Sequence, residues 1–392
     1  MTSASPTTTH RPAFWRDVRV LRIAFQAVFL VAVVGFLLFI VDTAVYNLER
    51  LGIRTDFGYL SQPAGFAIPD SDFRSTQSLG DALVVGIQNT AKVAFLGIVL
   101  ATILGVLVGV ARLSTNWLVR RAAALYVESF RNVPVLVIIL FWYLAVFIRL
   151  PRIGEATEIL DLVVVSNRGI VLPWFEKVGS GYAFGLVALV AIAVAAAVWI
   201  WRSRRFDRTG EPHHRVLWAG GLLLGILAVG FVATGRPWTV QTPEVGELST
   251  SGGFRMAPEY GALLVALALY TASHIAEIVR GSILAVPKGQ TEAASAVGLS
   301  GFQRLRHVVL PQAFRISVPP IANQYLNLTK NSSLAVAIGY YEVTKVTRVS
   351  ISQSAPAVQA ILVLMGAYLL FSLSIALVTN IVNRRLTLKG QR

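Results

Sequence analysis

The chain has 392 residues, of which 55% are hydrophobic and only 14% are charged, and its formal net charge is +15. This composition excludes an ordinary soluble domain, in which about a quarter of the residues carry charge. The absence of cysteine also excludes a disulfide framework and a thiolate metal site.

Eight apolar stretches are long enough to cross a membrane as helices, which takes about 20 residues each. Their continuous hydrophobicity favours helices over the alternating strands of a membrane barrel. We therefore predict an all-α, polytopic membrane protein. The expected spans are 21–42, 82–111, 124–149, 182–201, 216–234, 259–280, 314–338 and 358–383.

The loops between these spans distinguish the two sides of the membrane. Arginines are concentrated in the loops at 112–121 and 202–215 and in the tail at 384–392. Excess positive charge marks the cytoplasmic side, so both termini and the loop before residue 314 are expected in the cytoplasm. The same rule accounts for the net charge of +15, and we expect no nucleic-acid partner. The outward segments are then 43–81, 150–181 and 235–258.

One cytoplasmic stretch, EAASAVGLSGFQRLRHVVLPQA at 292–313, is unusually polar for this chain. Thr291 is expected to cap a helix that begins at Glu292, and Gly298 to end it in a left-handed conformation. Ser300 and Gln303 form a capping box for a second helix. Pro311 suits the first turn of the following span. The alternative is an ordinary cytoplasmic connector, which has no need of two capped helices.

Polar residues inside the predicted spans are candidates for function because they are costly at bilayer depth. Asn323, Asn327 and Lys330 recur at i, i+4 and i+7 and form one polar stripe on the seventh span. Lys330 would face a substrate cavity and meet a carboxylate, or it would pack against the carbonyl groups of a neighbouring helix.

Other charged residues lie near the ends of spans, where a structural role is favoured. His274, Glu277 and Arg280 are expected to form one polar cluster near the inner end of the sixth span. Glu128 and Arg131 are expected to pair at i, i+3 at the mouth of the third span.

The cytoplasmic stretch resembles the EAA loop of ABC importer permeases. Its Glu292-Ala293-Ala294 triplet is followed by Gly298 and then by Leu310-Pro311, as in that family. The segments 126–136, 276–300 and 308–335 are similar to the polar amino-acid branch of the family. The N-terminal region and the insertion resemble the larger permease of general L-amino-acid uptake systems.

The resemblance implies a division of the chain. A type I permease core of five helices would occupy 82–149 and 259–383, within a permease domain at 82–383. An N-terminal tail, first span and periplasmic loop would fill 1–81. An insertion with two extra helices would fill 150–258, and a cytoplasmic tail 384–392. The protein would lie in the cell inner membrane.

The resemblance also implies partners and an ATPase-coupling site. A cytoplasmic ABC ATPase dimer would bind the ATP and Mg²⁺, while this chain, which has no G-x-x-x-x-G-K-[ST] loop, would bind no cofactor and no metal. A second related permease would complete the pore in the lipid bilayer, and a periplasmic binding protein would deliver the amino acid. The coupling residues would be Thr291, Glu292, Ala293, Ala294, Gly298, Leu310 and Pro311.

Two other classes of function compete with this interpretation. An ion-coupled secondary transporter of small polar solutes usually has inverted repeats and buried acids, whereas here no convincing repeat is found and the acids lie at helix mouths. A membrane-embedded enzyme would need an H-E-x-x-H, a G-x-S-x-G or paired intramembrane carboxylates, and the sequence has none of these.

Overall fold

The computed structural model describes residues 18–52, 55–178, 181–209, 214–246, 250–353 and 355–386. The α-helices are α1 (Val18–Arg50), α2 (Leu79–Ala111), α3 (Trp117–Arg131), α4 (Val135–Phe141), α5 (Gly181–Thr209), α6 (Arg215–Ala233), α7 (Pro258–Leu284), α8 (Lys288–Ala296), α9 (Gly301–Arg304), α10 (Leu310–Asn331), α11 (Val343–Ser352) and α12 (Ala357–Leu386). The predicted all-α, polytopic fold is confirmed.

Six of these described helices could each cross a membrane by length and composition. In the described part of the chain, α1, α2, α5, α6, α7 and α12 do so, and α3 with the segment Val135–Arg149 makes a seventh if the bent pair is one span. Helix α10 covers the first part of the predicted span 314–338, although Gln, Arg, Asn and Lys interrupt its apolar character. It continues as a short 3-10 helix at Ser332–Ile338.

The third predicted span, 124–149, is not straight. Helices α3 and α4 meet at an angle of 102°. Pro134 stands in an extended conformation just before α4. A proline lacks the amide hydrogen and disfavours a helical conformation in the residue before it, so the chain bends between Arg131 and Val135.

Helices α2 and α7 form the centre of the bundle, and glycines allow them to approach closely. A Cβ on Gly105 would lie 2.7 Å from Ile275, and one on Gly109 would lie 2.7 Å from the carbonyl oxygen of Ala276. Small residues of this kind let the backbones of membrane helices come together. Around this contact lies the main apolar core, which includes Leu263, Leu267, Ile275 and Leu328.

The segments 150–181 and 235–258 contain short strands, which the sequence did not predict. The strands are β1 (Thr157–Ile159), β2 (Val163–Ser166), β3 (Gly169–Leu172), β4 (Trp174–Lys177), β5 (Trp238–Gln241), β6 (Glu244–Val245), β7 (Thr250–Ser251) and β8 (Phe254–Met256). They form an antiparallel sheet in the order β1-β2-β3-β8 and the two ribbons β4-β5 and β6-β7. The pairs β3-β8 and β4-β5 each join a strand of 150–181 to a strand of 235–258, so they connect the two ends of the insertion.

The segment before α2 is also folded. Tyr59, Ile68 and Phe73 are buried together with Leu83 of α2 and Val346 of α11. Helix α1 and the pair α5 and α6 are different, because they expose apolar side chains along their length. Such exposure fits contact with lipid.

Candidate functional site

Helix α8 carries the EAA triplet and begins earlier than predicted. Pro287 precedes it in an extended conformation (φ −58°, ψ 135°), and the helix starts at Lys288. Thr291 lies inside the first turns, where its hydroxyl donates to the carbonyl oxygen of Lys288 at 2.6 Å. The expectation that Thr291 caps a helix starting at Glu292 was therefore wrong, because the proline fixes the helix start.

Gly298 ends α8 as predicted. Its φ is +80°, a conformation that costs a residue with a Cβ about 1–2 kcal/mol. The amide of Gly298 donates to Ser295 at 3.0 Å, and the amide of Leu299 donates to Ala294 at 3.1 Å. These two bonds are the Schellman arrangement, which satisfies the last carbonyl groups of a helix.

The second arm of the hairpin begins with the predicted capping box. The amide of Ser300 donates to the Gln303 side chain at 2.9 Å, and the amide of Gln303 donates to the Ser300 hydroxyl at 3.3 Å. Helix α9 then runs through a π-helical stretch, Leu305–Val309, directly into α10. Pro311 lies in the first turn of α10, as expected. The second arm of the hairpin is therefore continuous with α10, from residue 301 to residue 331.

The two arms present an exposed surface. Of the EAA triplet, Glu292 and Ala293 are exposed, whereas Ala294 is buried. Val297, at 77% exposure, and Phe302, at 69%, add apolar area. A guanidinium nitrogen of Arg304 donates to the Ser295 hydroxyl at 2.7 Å and joins the arms. A charged and apolar surface on a capped, rigid hairpin is suited to binding another protein.

Helix α10 has two unlike faces. On one face the hydroxyls of Tyr325 and Thr102 are hydrogen-bonded at 2.8 Å, and a Cβ on Gly97 would lie 3.2 Å from Leu328. The opposite face is exposed at Ile316, Pro319, Asn323, Asn327 and Lys330. The three predicted polar residues are thus brought together on a surface that points away from the rest of the chain.

The position of Gly97 gives the depth of this polar face. Gly97 lies near the middle of α2, which runs from Leu79 to Ala111. Leu328 packs against Gly97, and Lys330 follows Leu328 by about 3 Å along the helix axis. Lys330 is therefore close to the middle of the bundle, where an ammonium group needs water or a polar partner.

The predicted cluster at the inner end of α7 is built around Glu277. Its carboxylate forms ion pairs with Arg112, with Arg280 of the same helix, and with Arg131 at 3.9 Å. Arg112 follows α2 and was not predicted. The pairing of Arg112 with Glu277 could not be predicted from local spacing, because the two residues are 165 positions apart in the chain.

Two details of the predicted clusters are corrected. In the described residues Glu128 is exposed and makes no ion pair with Arg131, because Arg131 is directed to Glu277 instead. The His274 ring is hydrogen-bonded to the carbonyl oxygen of Tyr270 at 3.1 Å and packs against the Tyr270 ring, instead of pairing with Glu277.

A second polar group, around Glu342, was missed. Its buried carboxylate caps α11 by accepting from the amide of Lys345 at 2.9 Å, and it accepts from the hydroxyl of Tyr368 at 3.0 Å. The hydroxyls of Thr344 and Tyr368 are 3.0 Å apart. The spacing of Glu342 three residues before Lys345 is only a weak sequence signal for a helix cap. The second partner, Tyr368, lies on α12 and cannot be identified from this local spacing.

The bundle of long apolar helices is that of a membrane-spanning protein, and comparison with known proteins defines the class. Residues 253–388 match the family described as "Binding-protein-dependent transport system inner membrane component". The general L-amino acid transport system permease protein AapQ of Rhizobium johnstonii is 40% identical over 95% of this chain and 94% of its own. The putative amino-acid ABC transporter permease protein YhdX of Escherichia coli is 39% identical over 93% of each chain.

The chain belongs to the family of amino-acid ABC transporter permeases. It is therefore a multi-pass membrane protein. Among solved structures, one described as an amino acid ABC transporter with histidines is 17% identical, with a TM-score of 0.46, and the match covers 78% of this chain and 94% of that one.

Proposed function

We propose that this chain is the channel-forming subunit of an ABC importer that carries polar or general L-amino acids across the inner membrane. A separate cytoplasmic ATPase dimer, which binds ATP and Mg²⁺, would drive the transport through the α8–α9 hairpin. Both termini of the chain would lie in the cytoplasm, and the chain itself would hydrolyse no ATP. The observation that carries the proposal is the exposed, capped hairpin continuous with a membrane helix.

The hairpin supports this role because it is stiff and open to a partner. The Schellman turn at Gly298 caps the end of α8, and the capping box at Ser300 caps the start of α9. Glu292 offers a carboxylate on the exposed side, and Val297 and Phe302 offer apolar area. Since the second arm continues into α10, a displacement of the hairpin would move the helix that carries the polar face.

The polar face of α10 supports the transport path. Asn323, Asn327 and Lys330 would line it, and the ammonium group of Lys330 would meet the α-carboxylate that every amino acid carries. A second, related permease would form the other wall of the path. A periplasmic binding protein would deliver the amino acid at the outer face, where the strands of 150–181 and 235–258 would lie.

The ATPase-dependence is tested with the assembled complex. The chain is purified with its ATPase, reconstituted in vesicles, and assayed for ATP-dependent uptake of a mixture of labelled amino acids. Uptake is expected only with both the ATPase and ATP. Uptake that persists when the ATPase is removed would overturn the proposal and point to ion-coupled transport.

The role of the hairpin is tested with one glycine substitution and a matched control. Gly298→Ala places a Cβ at φ +80°, and Gly235→Ala does the same at φ +77° in the outer segment; neither Cβ would meet an atom within 4 Å. The backbone cost is therefore similar. We expect Gly298→Ala, alone or with Glu292→Ala, to reduce ATPase binding and uptake, and Gly235→Ala to leave both intact. Equal behaviour of the two glycine variants would contradict the coupling role.

A further inference from the structure

The ion-pair cluster around Glu277 lies where three helices meet. Arg112 follows the cytoplasmic end of α2, Arg131 is the last residue of α3, and Arg280 and Glu277 are both on α7. One carboxylate thus contacts guanidinium groups from three helices. The Glu277 and Arg112 side chains are only 26% and 16% exposed, so solvent screens this pair less than it screens a surface ion pair.

The charges in the cluster are not balanced. Three guanidinium groups pair with the Glu277 carboxylate, the Glu128 carboxylate adds a more distant attraction to Arg112, and arginine stays protonated under all ordinary conditions. Without the carboxylate, the like charges at the ends of α2, α3 and α7 would repel one another. The attraction to Glu277 therefore opposes this repulsion at the ends of the three helices.

The cluster is also close to the hairpin. Glu277 lies about two helical turns before the end of α7, and only residues 285–287 separate α7 from α8. Val286 in this short link is buried against Val309 and Ala313, at the start of α10. A movement of α8 would consequently reach the end of α7 without being absorbed by a long loop.

Beyond the cluster, α2 continues to the outer side. It packs tightly on α7 at Gly105 and Gly109. At its other end a Cβ on Gly86 would lie 3.1 Å from the Cα of Val343 in α11, and the Asn89 amide donates to the carbonyl oxygen of Tyr341 at 2.9 Å. Helix α2 thus makes close contacts at both ends of the bundle.

We propose that Glu277 is a positioning residue that transmits movement of the α8–α9 hairpin through α7 to α2 and α3. This inference rests on the proposed coupling of the hairpin to an ATPase. The proposed role of Glu277 acts through the helices that it joins. Its task is to keep the three helix ends together so that they move as one body during each cycle of ATP hydrolysis.

The test measures amino acid transported per ATP hydrolysed, in the reconstituted complex. Glu277→Gln keeps the shape of the side chain and removes its charge, and we expect this ratio to fall about tenfold, as for the loss of one charge-assisted contact. ATP hydrolysis by the bound ATPase is expected to continue. The matched control is Glu259→Gln at the other end of the same helix, where the Glu259 carboxylate accepts from the Tyr143 hydroxyl at 3.1 Å; its ratio should be unchanged. Glu277→Asp, which retains the charge, should recover part of the coupling.

A purely structural role would give a different result. Glu277→Gln would then lower the amount of assembled complex, or lower uptake and hydrolysis together, and leave the ratio unchanged; that outcome overturns the inference. Failure of the proposed function is distinguishable, since in that case the wild-type complex would show no ATP-dependent uptake at all.

Discussion

Replacing Lys330 with methionine tests the assignment of the polar face of α10. Lys330 is exposed on the same face of α10 as Asn323 and Asn327. It lies near the middle of the bundle, because the nearby Leu328 packs against Gly97 of α2. Methionine keeps the length and apolar stem of the side chain but removes its charge. If the ammonium group binds the α-carboxylate of the substrate, every amino acid tested should lose transport, whatever its side chain.

The size of the loss follows from the kind of contact. A hydrogen bond to a charged group contributes about 1.5–3 kcal/mol, which corresponds to a loss of roughly 10- to 150-fold in the uptake efficiency because about 1.4 kcal/mol is tenfold. Coulomb attraction between unit charges 4 Å apart gives an upper bound of about 4 kcal/mol near a protein surface. A loss within this range is expected for Lys330→Met.

The assay is initial uptake rate against substrate concentration in vesicles that contain the whole complex. Lys330→Arg, which retains the charge, should keep more uptake than Lys330→Met. The matched control is Lys92→Met, because Lys92 is also an exposed lysine on a membrane helix and is expected to extend its ammonium group to the outer surface. Normal uptake by Lys330→Met would refute the assignment, and so would equal losses in the two methionine variants.

Three further predictions concern local structure, and each is tested by measuring the thermal stability of the purified complex. Ser300→Ala removes the capping acceptor and should cost about 1 kcal/mol; an unchanged transition would contradict the capping role. Gly109→Val should separate α2 from α7, since its Cβ would lie 2.7 Å from a carbonyl oxygen, whereas Gly220→Val enters open space and should be tolerated. Glu342→Ala removes the carboxylate that accepts from the Tyr368 hydroxyl and the Lys345 amide, at about 1–3 kcal/mol, and Glu342→Gln should cost less; equal costs would argue against these hydrogen bonds.

Local features of this chain could be predicted because their causes lie within a few residues. The long apolar runs gave the membrane helices, and the capping box at Ser300 and the left-handed Gly298 were recognised from short-range chemistry. The misplaced start of α8 has an equally local cause. Pro287 determines the first turn, and a Thr-Glu pair that resembles a helix start lies inside the helix.

Contacts between distant segments could not be predicted from spacing. Arg112 and Glu277 were each visible as charged residues near helix ends, but only the packing of α2 on α7 shows that they meet. The same reason explains the error at Arg131. Its i, i+3 neighbour Glu128 is a possible partner in an isolated helix, yet Arg131 turns to the carboxylate that the fold places nearby.

The direction of the polar face of α10 has a consequence for assembly. Asn323, Asn327 and Lys330 are exposed on the side of α10 that faces away from α2. At bilayer depth such side chains do not face lipid, because an amide or ammonium group in hydrocarbon loses its hydrogen bonds to water. One chain supplies only one wall around them. The transport path that we propose therefore needs a second wall, and the related permease proposed as its partner would place polar groups or water opposite this stripe.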